Sequence, residues 1–80
     1  MHYVYLLRSV SEPERSYTGC TRNLKARLAS HNAGQNPSTA CGRPWQIVAY
    51  VALRDEERAR AFERYLKSGS GRTFAKRHLL

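Results

Sequence analysis

Acidic residues are scarce in this chain. Six Asp and Glu face fourteen Lys and Arg among 80 residues, a formal charge of +8. A field of that sign on a small body has polyanions as its natural partners, nucleic acid first, since neither terminus carries a separate basic membrane anchor. Cysteine is equally sparse: Cys20 and Cys41 are the only two. A disulfide framework is excluded, and their spacing to His31 and His78 matches no CxxC or HxxxH zinc pair. Two could form one disulfide, but a cytoplasmic setting argues for free thiols in a half-buried structural role. Long apolar runs are absent, so no segment reaches the length of a membrane-spanning helix. The N-terminus lacks the apolar core of a signal peptide, which gives the expectation of a cytoplasmic, soluble protein. Internal repeats and low-complexity tracts are also missing. Eighty residues then make a single domain, 1–80, too short for two cores and with a thin stability margin.

What is present alternates between two periods. "HYVYLLRSV" sets Tyr3, Tyr5 and Leu7 against Val4, Leu6 and Arg8, the period-two pattern of a strand. "SEPER" is a charged turn and "SYTGC" a second short strand, which together form a hairpin. Thr21 or Asn23 caps a helix over "NLKARLASHNAG", closed by Gly34. "QNPSTACGRP" reads as an exposed loop. "WQIVAYVAL" is apolar on both faces, which predicts a strand in the middle of its sheet. Asp55 opens "DEERARAFERYLKS", a helix with Ala59, Phe62 and Leu66 inward and acid in its first turn. "GSG" at 69–71 predicts a break before a short basic helix. The order β-β-α-β-α-α implies an α+β fold, a mainly antiparallel three-stranded sheet packed by helices.

Five polar residues stand out from these patterns: Tyr5, Tyr17, Arg27, His31 and Glu63. Each has an ordinary reading alone. Strand tyrosines line cores, an arginine beside leucines lays its methylenes on them, a histidine near a helix end is a surface group, and Glu63 has Lys67 at i+4. Together they supply the parts for phosphodiester hydrolysis. A tyrosine or histidine serves as base for water, with the positive field favouring phenolate. An arginine offers a fixed charge and a bidentate fork to phosphate. One carboxylate anchors a Mg²⁺ or Mn²⁺ that keeps most of its waters.

At these positions the chain resembles the GIY-YIG endonuclease superfamily. "YVY" at 3–5 and "YTG" at 17–19 resemble its paired tripeptides, followed in order by Arg27, His31 and Glu63. The likeness covers essentially the whole chain and is greatest to the small single-domain bacterial members. It implies Tyr5 as general base or water-positioning group and Tyr17 against the scissile phosphate or the attacking water. It also implies Gly19 for close backbone passage, Arg27 on the phosphate charge, His31 to orient or deprotonate water, and Glu63 on one divalent metal. Strand cleavage would leave 5′-phosphate and 3′-hydroxyl ends. Arg27 and His31, about 5–6 Å apart at Cβ by their i, i+4 spacing, are then expected to face a cleft shared with both tyrosines.

The expected substrate is DNA, read with little sequence specificity because basic residues on phosphates position without discriminating. Arg22, Asn36, Arg43, Arg72 and Lys76 are the candidate contacts. Trp45 reads as core rather than as a stacking platform, and the preference leans weakly to single-stranded or branched DNA, with RNA still open. A targeting partner protein is compatible with all of this. The rival reading is a basic nucleic-acid-binding module without catalysis, and Glu63 separates the two: a binder gains nothing from a carboxylate facing its polyanion.

Overall fold

Strand β1, His2–Ser9, carries the hydrophobic alternation to both sides of the sheet. The computed structural model describes all residues, Met1–Leu80. Val4 and Leu6 point to one face, where they pack with Ala59, Leu66 and Ala75. Tyr5 and Leu7 point to the other, with Trp45 and the partly buried Tyr17, Leu24, Leu28 and Ile47. Successive side chains of a strand alternate between faces, so one short strand feeds both cores. β2, Ser16–Thr21, and β3, Trp45–Leu53, flank β1 in the antiparallel order β2-β1-β3.

β1 therefore holds the middle of the sheet, and the expectation that β3 would do so is wrong. The apolar run of β3 arises differently. As an edge strand it keeps Tyr50 exposed, while Ile47 joins the core on one face and Val48, Ala49 and Leu53 join the other. Apolar residues on both faces report helices on both sides, not a central position.

Helix α1, Leu24–Asn32, covers the Tyr5 face; α2, Glu56–Lys67, and α3, Gly69–His78, cover the Val4 face. Asn23, not Thr21, caps α1, its Oδ1 accepting the Ala26 N–H at 3.0 Å. Gly34 follows the helix at φ 78°, where glycine alone is unstrained. Asp55 caps α2 through the Glu57 N–H at 2.9 Å. No helix is long and apolar enough to cross a membrane.

The expected break at 69–71 is the first turn of α3. Ser68 caps it, accepting the Gly71 N–H at 3.2 Å. Gly71 is there for contact: a Cβ would drive into the Tyr65 carbonyl, so only glycine lets α3 start against the backbone of α2.

Candidate active site

Tyr5 pairs with Gly19 across the β1–β2 ladder. Its ring lies over that glycine, and a Cβ at Gly19 would collide with the phenol. The missing side chain is what lets a tyrosine of the central strand extend its hydroxyl across β2. There it meets His31 of α1, with the hydroxyl 2.8 Å from Nε2. Tyr17 completes an aromatic triangle, its ring centroid 6.5 Å from that of Tyr5 and 5.1 Å from that of His31.

His31 has no exposure at all. The expectation that it would face an open cleft beside Arg27 is corrected on this point. Tyrosine rings cover it from the sheet side, and the loop after α1 closes it from the other, where Nδ1 lies 2.8 Å from Thr39 Oγ1. Arg27, one turn earlier, is exposed. The i, i+4 pair thus divides into an outer cation and an inner imidazole.

Burial also sets the protonation states. The Tyr5 phenol is pushed up to about 12, because loss of water around it outweighs the opposing effect of the Arg27 guanidinium. The expected preference for phenolate in a basic protein is therefore reversed: one neighbouring guanidinium does not offset desolvation. His31 is held below its usual value by the same desolvation, with Arg27 acting in the same direction. A phenol facing a neutral imidazole is the resting state.

Glu63 reaches this edge from α2 on the opposite face. Its charge is felt by both Tyr5 and Cys20. Its Oε2 lies 3.2 Å from Lys67 Nζ, and its side chain is 20% exposed. Lys67 in turn lies 5.5 Å over the Tyr17 ring. Sequence reasoning had assigned Lys67 only an ion pair; its place above Tyr17 depends on how α2 crosses the sheet and leaves no trace in spacing. No set of three His, Cys, Asp or Glu groups comes together anywhere in the chain. The residues fit a divalent ion held by one hard carboxylate oxygen, its remaining positions taken by water and phosphate, and they do not fit a protein-caged metal.

The candidate nucleic-acid contacts fall into separate places. Arg72 and Lys76 of α3 line an open groove of about 770 Å³ that also touches Arg15, Tyr17, Thr39 and Lys67. Neither is in an ion pair. Arg22 lies with Arg27 and Arg60 around a smaller pocket of about 240 Å³. Asn36 and Arg43 are engaged locally. Asn36 Oδ1 accepts from the backbone and side chain of Ser38, and Arg43 Nε donates to the Ala40 carbonyl at 2.8 Å. Trp45 is 5% exposed and belongs to the core, its indole N–H donating to the Thr39 carbonyl at 2.8 Å. The loop is thus more than the exposed connection its composition suggested, for Thr39 is 1% exposed.

Comparison with known proteins agrees with this geometry. The family model for the GIY-YIG catalytic domain matches residues 1–77. A UPF0213 protein of Clostridium perfringens is 35% identical over 68 residues, 84% of this chain and 71% of its own length. The structure-specific endonuclease subunit SLX1 of Debaryomyces hansenii is 41% identical over 54 residues, 60% of this chain but 16% of that larger protein. Among solved structures, the solution NMR structure of a UPF0213 protein from Bacillus halodurans superposes with a TM-score of 0.55. It is 32% identical and the match spans 94% of this chain and 79% of that one.

Proposed function

Because the chain belongs to the GIY-YIG family, we propose that it is a divalent-metal-dependent endonuclease that hydrolyses DNA phosphodiester bonds. The observation that carries this reading is the convergence of Tyr5, Tyr17, Arg27, His31 and Glu63, from four elements, on the β2 edge of the sheet.

Arg27 is the exposed member and meets the phosphate first. Its planar fork fits two phosphate oxygens and counters the charge that grows as phosphorus becomes five-coordinate. Water reaches the Tyr5 hydroxyl, which is shielded here, only when the side chains around it open. Water then gives its proton to the Tyr5 oxygen while the Tyr5 proton passes to His31 Nε2, already 2.8 Å away. Tyr5 ends as it began, and His31 leaves the step as imidazolium. The water oxygen bonds to phosphorus, the P–O3′ bond breaks and the departing O3′ takes a proton from solvent, to which His31 returns its own, giving 5′-phosphate and 3′-hydroxyl ends. Tyr17, half-buried beside the pair, positions the water or a phosphate oxygen. Glu63 would hold the Mg²⁺ or Mn²⁺, which supplies Lewis-acid charge at a phosphoryl oxygen when bound.

Arg72, Lys76 and Lys67 line the groove beside Tyr17 and give the strand backbone a path of fixed charge. Such contacts carry no sequence information, so the substrate is chosen by shape. The SLX1 relatives are structure-specific endonuclease subunits by name. This favours flapped or single-stranded DNA and a partner protein that delivers it.

The Glu63–Lys67 pair is what a non-catalytic binder would also contain. End-labelled single-stranded, duplex and flapped DNA, incubated with Mg²⁺, Mn²⁺ or EDTA beside Glu63→Gln, separates the two. Metal-dependent cutting that disappears in the variant supports the nuclease; tight binding with no cut under any metal supports the binder.

A further inference from the structure

Thr39 sits in the loop between α1 and β3, eight residues beyond His31, with its hydroxyl buried against the imidazole. That hydroxyl has two neighbours. Oγ1 is 2.8 Å from His31 Nδ1 and 3.3 Å from the Asn36 carbonyl oxygen. A hydroxyl has one proton to give, and a carbonyl can only accept. With its proton on Asn36, the Thr39 oxygen has a lone pair left to accept the Nδ1 proton of His31. The other end of the imidazole reaches the same answer independently. The Tyr5 hydroxyl has no hydrogen-bond partner other than Nε2, so it turns its own proton there. Both ends select the tautomer protonated on Nδ1 and bare on Nε2.

The loop is built to hold this hydroxyl still. Trp45 donates its indole N–H to the Thr39 carbonyl, and the Thr39 N–H donates to the Asn36 carbonyl at 3.1 Å. Asn32 fixes Trp45 through both of its backbone groups, at 2.6 and 3.0 Å. Asn36 closes its own turn through Ser38. No buried side-chain polar atom in the chain is left without a partner.

We propose that Thr39 is a positioning residue that selects the reactive tautomer of His31, keeping Nε2 free to take the Tyr5 proton. The partner of one ring nitrogen decides the state of the other. With Nδ1–H unpaired in a dry site, the tautomer protonated on Nε2, which donates to the Tyr5 oxygen, gains population at its expense. In that state it has no lone pair facing the phenol, and the relay stops. The proposal rests on reading His31 as the acceptor for Tyr5, and one of its two measurements needs no catalysis.

The test uses the full chain, Thr39→Val, Thr39→Ser and wild type, with ¹⁵N-labelled histidine. Side-chain NMR of the metal-free protein reads which His31 nitrogen carries the proton. The wild type and Thr39→Ser should show Nδ1–H, and Thr39→Val a shift toward Nε2–H, at thermal midpoints that confirm a folded chain. On cleaved DNA, Thr39→Val should lower kcat by about 10–100-fold with KM changed little, as losses of outer partners do at other sites, and Thr39→Ser should restore it. A folded Thr39→Val that keeps Nδ1–H, or that cuts at the wild-type rate, overturns the proposal. A tautomer change in a protein whose wild type cuts no DNA leaves Thr39's control of His31 standing and overturns the nuclease reading instead.

Discussion

The Tyr5 hydroxyl and His31 Nε2 lie 2.8 Å apart, linking the central strand to a helix 26 residues later. Both side chains are almost wholly shielded from solvent, at 1% and 0% exposure. Away from water each prefers its neutral form, and each form needs the other: the phenol a proton acceptor, the imidazole a donor at its bare nitrogen. The contact is structural cement, and in the proposed reaction it is also the proton path.

The first expectation concerns stability at both ends of the pH scale. His31 titrates at 6.5 in the unfolded chain and lower in the fold. Below about pH 6.5 the unfolded state binds more protons, so stability falls on acidification. Tyr5 titrates at 10.0 unfolded and at about 12 folded. Between these values the unfolded state loses its proton first, and stability falls as pH rises. Thermal midpoints measured from pH 4 to 11 test this, with His31→Gln expected to flatten the acid limb and Tyr5→Phe the alkaline limb. An acid limb as steep in His31→Gln as in wild type would place the titrating group elsewhere.

Arg27→Ala should separate turnover from binding. The guanidinium is exposed, and on the proposed reading it meets the phosphate where charge develops. Loss of one such charge contact typically lowers kcat by about 10²–10³-fold. Affinity for DNA should change by only a few-fold, since the charge of +8 is spread over many residues. Equal losses in single-turnover rate and in Kd would instead make Arg27 a simple phosphate anchor.

Much of this arrangement was legible because it is local. The period of β1, the Asp55 cap, an α1 cap at Thr21 or Asn23 and the i, i+4 spacing of Arg27 and His31 are properties of neighbouring residues. Errors came where the answer depends on packing between elements. An apolar β3 cannot reveal whether it is covered as an edge or as a centre, and "GSG" cannot reveal that a helix start abuts Tyr65. The inward turn of His31 was hidden for the same reason. Helical spacing puts it beside Arg27, but the Thr39 hydroxyl that draws it inward belongs to a loop without periodicity.

Gly19→Ala should damage the site and the fold together. The new methyl would overlap the Tyr5 ring and hydroxyl, and overpacking of this kind costs about 1–3 kcal/mol. Relief requires the phenol to swing away from His31, breaking their hydrogen bond. Chemical denaturation and the cleavage rate should fall in step. An alanine variant with wild-type activity would mean that Tyr5 does not need to cross β2 at this point.

Lys67→Ala should ease the metal requirement. Lys67 Nζ lies 3.2 Å from Glu63 Oε2, so on the proposed reading, in which Glu63 holds the divalent ion, ammonium and metal compete for this carboxylate. The pair is half exposed on the lysine side, with 48% of that side chain open to solvent, and such pairs are worth up to about 1 kcal/mol. Removing the competitor should lower the Mg²⁺ concentration for half-maximal cutting by up to about fivefold, that same free energy expressed as a ratio. DNA affinity should fall modestly, because the groove beside Tyr17 loses a charge. Titration of rate against Mg²⁺ at saturating DNA isolates the first effect from the second. A higher Mg²⁺ requirement in Lys67→Ala would mean that the ammonium holds Glu63 in place for the metal, making the lysine a support for the site instead of its competitor.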